Sequence, residues 1–226
     1  MKIVFLSSYV DPGSGASILI RLANNLKEKG HDVKILTTKS GYDSEIVETV
    51  RLPRTLKFIN WIVNKIKPNY FSFIYNPLLT AVHNHSPDVI NIHWTHGSTI
   101  PIKIIPELCR YWPVFWTIHD MWPITKNEFF EYSGGKTLLT RDMNIIQNLK
   151  RQFFRKIRYM PDVLFDYKVK KLSKLYIHTI SPSKWLQKKV SESPVFGSAI
   201  NHHVPNGVDI NVFKSLGRIK LREKYG

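Results

Sequence analysis

Residues 2–38, KIVFLSSYVDPGSGASILIRLANNLKEKGHDVKILTT, decide the fold. Two short apolar runs, 2–8 (KIVFLSS) and 32–38 (DVKILTT), bracket a segment of helical spacing in which Ile18, Leu22 and Leu26 recur at i, i+4 and i+8. Gly30 follows, where a glycine that ends a helix belongs. The pattern predicts a β-α-β unit. The same alternation continues to the other end of the chain, with strands expected at 46–51, 88–93, 113–118, 175–180 and 200–204. Helices are expected at 56–66, 70–84, 99–110, 143–173 with a break at Pro161, and 182–191. Ser181-Pro182 reads as the opener of the last one, a serine cap followed by proline in the first helical position. Residues 124–142 show no period and read as a long surface loop. Several strands are apolar at nearly every position, which suits parallel strands covered on both faces. The expected fold is therefore α/β, a doubly wound parallel sheet.

A chain of 226 residues with 43% hydrophobic content can bury a sizeable core as one large domain. No apolar run reaches the roughly 18–20 residues that span a bilayer, and MKIVFLS reads as a first strand rather than a secretory signal. The single Cys109 excludes a disulfide framework within the chain, fits a small core residue on a helix, and agrees with a reducing cytoplasm. Lys+Arg 33 against Asp+Glu 17 leaves +16, a field that attracts anionic lipid, phosphorylated substrates or nucleic acid. The excess concentrates between Lys150 and Lys174, where nine Lys/Arg face two acids, Asp162 and Asp166, with Phe153, Phe154, Tyr159, Phe165 and Tyr167 interleaved. A solvated helical face with buried aromatics and a partner surface both fit that segment.

Two strand ends carry chemistry. HWTHG (93–97) closes one strand and HDMWP (119–123) the next. Both stand at carboxyl ends of strands, the edge of an open α/β sheet where ligands bind, so His93, His96, His119 and Asp120 are expected to share a crevice. Zinc is disfavoured, because no i, i+4 histidine pair, no HExxH and no cysteine cluster occurs; no Gly-x-Ser-x-Gly elbow supports a hydrolase triad either. The first βα turn, YVDPGSGAS (9–17), places Gly13 and Gly15 before a helix N-terminus. Without side chains there, backbone amides can approach a phosphate, and the loop reads equally as a phosphate cradle or as a tight turn. It is not the dinucleotide fingerprint: the third glycine is missing and no acid ends the second strand. His119 alone also fits a histidine hydrogen-bonded to backbone, Asp120 a loop cap, and Trp94, Trp116 and Trp122 core filling.

In order and spacing, GSGASILIRLANNLKEKGHDVKILTT, PDVINIHWTHG, PVFWTIHDMWPIT, HTISPSKWL and VPNGVDINVFK resemble the N-terminal half of GT-B glycosyltransferases of the family-4 type. The His-Trp and His-Asp-Met-Trp-Pro versions are most similar to the branch that builds colanic-acid-type exopolysaccharides. The resemblance implies a Rossmann-like acceptor-side domain over 1–210, the start of an interdomain linker at 211–226, and a C-terminal nucleotide-sugar-binding domain that these residues do not include. It implies a retaining transferase that moves a sugar from a nucleotide-sugar to a glycan or lipid-linked acceptor, with neither metal nor cofactor. His119 then faces the transferred sugar, and Gly13 and Gly15 the donor diphosphate. His93, His96, Asp120 and Trp122 line the acceptor cleft, and Asn206 and Gly207 form the hinge turn. In similar proteins a glycine pair and a cysteine-rich insert often follow Trp-Pro, whereas this chain reads ITKNEFFEYSGGKTLLTR. The acceptor therefore cannot be carried over.

The expected setting is cytoplasmic and peripheral on the inner face of the plasma membrane, with residues 56–75 and 150–174 against anionic lipid. The same charge motivates a rival class, a basic nucleic-acid-binding protein, but no RNA- or DNA-binding signature accompanies it. A third reading is a non-catalytic truncated binding subunit. A lone half lacks the groups that position the donor and stabilise the departing diphosphate, so residues 1–226 alone are expected to be inactive.

Overall fold

The computed structural model describes residues 1–13, 15–51, 58–59, 75–95, 100–125, 161–210, 213 and 222. In chain order these form β1 (Lys2–Ser7), α1 (Ser17–Glu28), β2 (Asp32–Thr37), β3 (Val47–Thr49), α2 (Tyr75–His85), β4 (Val89–Ile92), α3 (Ile104–Tyr111) and β5 (Val114–Thr117). A 3-10 turn (Trp122–Ile124) follows, then α4 (Pro161–Tyr167), a π-helical turn (Lys168–Leu172), β6 (His178–Ser181), α5 (Lys184–Ser191) and β7 (Ile200–His203). The seven strands make one sheet in the order β3-β2-β1-β4-β5-β6-β7, and every pair is parallel. All seven strand expectations are met; six strands fall within the expected bounds, and β6 starts later and runs one residue further, to Ser181. Of the helix expected at 56–66 only 58–59 are described, as helical; the loop expected at 124–142 is described only to residue 125, and the first part of the long helix, 143–160, lies outside the described residues.

Successive side chains of β1 serve opposite faces, as strand geometry requires. Ile3 and Phe5 join Val33, Ile35, the N-cap Ala16 and the α1 residues Leu19, Ile20 and Ala23 in one core cluster. Val4 and Leu6 join Ile90, Ile92, Val114 and Trp116 in the other, against α2, α3 and α5. Two cores on one sheet are what a doubly wound arrangement means physically, and they explain the strands' lack of apolar/polar alternation.

Two local readings need correction. The buried stripe of α1 is not Ile18/Leu22/Leu26. Leu22 is 39% exposed, while Ala16, Leu19 and Ala23 are buried. The two alanines let the helix lie close to the sheet, and packing overrides the spacing of the larger residues. Ser181 does not open α5 either: it ends β6, fully buried. The cap is Ser183, extended at φ −138°, ψ 150°, whose Oγ accepts from the Leu186 amide at 3.2 Å. At the other end of α1 the expectation holds. Gly30 has φ 83°, its amide donates to the Lys27 carbonyl, and the His31 amide donates to that of Leu26, the two bonds of a Schellman motif.

Candidate functional site

The carboxyl ends of β1, β4 and β5 are neighbours in the sheet, and side chains from all three meet there. His93 directly follows β4, its amide bonded to the Leu6 carbonyl of β1 at 2.8 Å. Its carbonyl accepts from the buried Trp116 indole at 3.2 Å, so β5 fixes the same residue from the other side. His119 stands two residues after β5 and is half-buried. The imidazoles meet directly, with Nδ1 of His93 2.9 Å from Nε2 of His119. Trp94 stacks on His119, ring centres 4.0 Å apart and planes 12° from parallel, and Tyr9 packs on Trp94 at 5.7 Å. Gly15 lies against the same indole: a Cβ there would stand 3.6 Å from Trp94 Cζ2.

His93 is 3% exposed, and burial, with His119 as a lesser cause, holds its imidazole well below the usual 6.5. It is neutral at physiological pH. Asp120 plays the cap role foreseen as one alternative: its Oδ1 accepts from the Trp122 amide at 2.9 Å and shapes the turn. Its charge also reaches outward. Burial and then Asp120 raise the Tyr9 hydroxyl above its ordinary value.

Trp122 is a correction. Its side chain is 1% exposed and belongs to the core, so it supports the turn from beneath and cannot line a cleft. Against it lies Lys168, a residue no spacing signal pointed to. This lysine, 0% exposed at the start of the π-helical turn, sends Nζ to the Trp122 carbonyl at 2.6 Å and the Thr125 carbonyl at 3.0 Å. The ammonium also sits 3.8 Å over the Trp122 ring. One of the nine cations of the basic segment therefore faces inward and is no part of a basic surface. Lys170, Lys171 and Lys174 are exposed.

The glycine loop is closed on itself. The Gly13 amide donates to Asp11 Oδ1 at 3.0 Å, so a carboxylate of this chain already occupies that donor. The loop is tied to the one after β2, where the Val10 amide bonds the Lys39 carbonyl and the Gly41 amide the Val10 carbonyl. Asn206 and Gly207 are exposed beyond β7, and a Cβ at Gly207 would meet no atom within 4 Å. His96 lies outside the described residues. Among the described residues no three His, Cys, Asp or Glu side chains gather to hold a metal ion. Cys109 is partly buried, its thiol pushed up to about 11 by desolvation, the environment of an inert packing residue.

An all-parallel, doubly covered sheet whose carboxyl edge gathers two imidazoles, an indole and a carboxylate defines a Rossmann-like α/β domain with its crevice where such sheets bind ligands. The chain belongs to Glycosyltransferase Family 4, whose family model matches residues 15–212. No curated protein matches it. Among solved structures it is similar to the calicheamicin glycosyltransferase CalG4, at 10% identity and a TM-score of 0.43, over 96% of this chain and 56% of that one. The chain thus spans a little over half the length of that structure.

Proposed function

We propose that these residues form the acceptor-side domain of a retaining glycosyltransferase. It moves a sugar from a nucleotide-sugar to a glycan or lipid-linked acceptor in surface polysaccharide biosynthesis. The observation that carries the reading is the half-buried His119, held between Trp94 and His93 at the carboxyl edge of the sheet of a family-4 domain. An imidazole so held can hydrogen-bond a sugar hydroxyl or a phosphate oxygen without first losing side-chain freedom, and that preorganisation is what lowers a barrier. Asp120, half-buried beside it, is placed to accept from a hydroxyl. The opposite wall of the cleft, with the donor base and ribose contacts, belongs to a second nucleotide-sugar-binding domain, and residues 1–226 alone transfer nothing measurable.

The test is sugar transfer from a panel of radiolabelled nucleotide-sugars to lipid and glycan extracts, with this domain supplied together with the C-terminal half. His119→Ala should lower kcat/KM by about 10²-fold or more. Undiminished transfer by that variant, or robust turnover by residues 1–226 alone, would sink the reading. Exposed Lys170, Lys171 and Lys174 support a peripheral position on anionic membrane. Co-sedimentation with anionic but not neutral vesicles is the expected result, and equal binding to both removes the electrostatic claim.

A further inference from the structure

The two ring nitrogens of His93 have unlike surroundings. Nδ1 lies 2.9 Å from Nε2 of His119. Nε2 is buried with no hydrogen-bond partner among the described residues, and Phe5 packs on the ring at 5.5 Å between centres. The ring is neutral, so it carries one N–H and one lone pair. A proton on Nε2 would be a buried donor without an acceptor, the rarer and costlier defect; a proton on Nδ1 leaves only an unused lone pair inside. The proton therefore belongs on Nδ1, where His119 Nε2 accepts it.

We infer that His93 is a positioning residue that donates from Nδ1–H to Nε2 of His119 and thereby fixes neutral His119 as its Nδ1–H tautomer. The consequence for chemistry rests on the functional reading above and concerns what His119 does not do. Its Nε2 lone pair is already taken and does not serve as a general base.

The surroundings of His119 pull in both directions. Trp94 offers a π-face that favours an imidazolium, and Asp120, next in the chain, favours it too. Lys168 partly offsets Asp120 from the π-helical turn, and Tyr9 is uncharged at neutral pH. His93 opposes protonation, because His119 Nε2–H would point at His93 Nδ1–H. Tautomerisation would relieve this by moving the His93 proton to its buried Nε2, which has no hydrogen-bond partner among the described residues.

Histidine-selective 15N NMR of the full chain decides the matter, with His119 assigned by loss of its signals in His119→Gln. Above its titration midpoint, His119 should show a protonated Nδ1 and a bare Nε2. In His93→Leu the midpoint should rise by about one pH unit and the tautomer preference should relax. In His93→Asn the side-chain amide can donate from nearly the same place, and the Nδ1–H tautomer should return. A wild-type His119 carrying its proton on Nε2 overturns the inference. So does an unchanged midpoint in a His93→Leu protein that keeps the wild-type circular dichroism. If that variant does not fold, the wild-type and His93→Asn spectra decide. None of these readouts requires turnover, so failed sugar transfer with the tautomer confirmed would overturn the functional reading alone.

Discussion

Replacing Lys168 by methionine tests how the turn after β5 is held. Methionine keeps the length of the side chain and deletes three things: the donor to the Trp122 carbonyl, the donor to the Thr125 carbonyl, and the cation over the Trp122 ring. Losing the donor to the buried Trp122 carbonyl costs about 1–3 kcal/mol, and losing the cation–π contact up to about 2. Against this stands the burden of burying a charge. Burial lowers the Lys168 amine from 10.5 to about 7, while Asp120 acts in the opposite sense. Because the folded value lies below the unfolded one, the unfolded chain binds the proton more tightly between them. Wild-type stability from this group should therefore be lowest below pH 7 and rise by about 1.4 kcal/mol per pH unit toward pH 10. Lys168→Met has no such group. The variant should lie within about 2 kcal/mol of wild type at pH 6 and fall behind by a further ~2–3 kcal/mol at pH 9. Urea unfolding followed by tryptophan fluorescence at pH 6, 7, 8 and 9 measures the gap. Parallel stability curves for the two proteins would refute the reasoning, since they would mean that the amine keeps an ordinary value in the fold.

Two further outcomes follow from local geometry. Gly30→Ala places a Cβ at φ 83°, where no heavy atom stands within 4 Å, so only backbone strain is felt. Unfolding free energy should drop by about 1–2 kcal/mol with no change in the near-ultraviolet spectrum, and a neutral substitution would contradict the αL cap. With its thiol near 11, Cys109 holds only about one thiolate in a thousand at pH 8. Iodoacetamide should modify it about 100-fold more slowly in the native protein than in urea, and native and unfolded rates within about threefold would show that the thiol is accessible.

The strands were legible because burial on both faces leaves a signal in contiguous sequence: KIVFLS and VINI can be read without knowing their neighbours. The carboxyl-edge position of His93, His119 and Asp120 followed from the strand ends alone. What could not be read depends on partners distant in the chain. Nothing between Lys150 and Lys174 marks Lys168 as a lysine that turns inward, because its acceptors lie 46 and 43 residues earlier. Trp122 had the signature of a binding aromatic, yet its indole is buried in the core cluster, with that lysine over the ring. The α1 stripe misled for a related reason. Ala16 and Ala23 look unremarkable in a hydrophobicity pattern, yet their small volume decides which face approaches the sheet.

The residues at the end of β5 are held by two separate supports. His119 is fixed from the β4 side, by the Trp94 stack and the His93 hydrogen bond. Asp120 is fixed from the far side, through the Trp122 amide it caps, whose carbonyl is gripped by Lys168. A rigid site on a loop needs such independent anchors, because a single one would leave the next residue free to swing with its own φ and ψ. The separation also has a physical signature. Perturbing Lys168 should alter the environment of Asp120 and leave the His93–His119 hydrogen bond in place, whereas perturbing His93 should do the reverse. Stability costs that add, to within a few tenths of a kcal/mol, are the outcome that independent supports require.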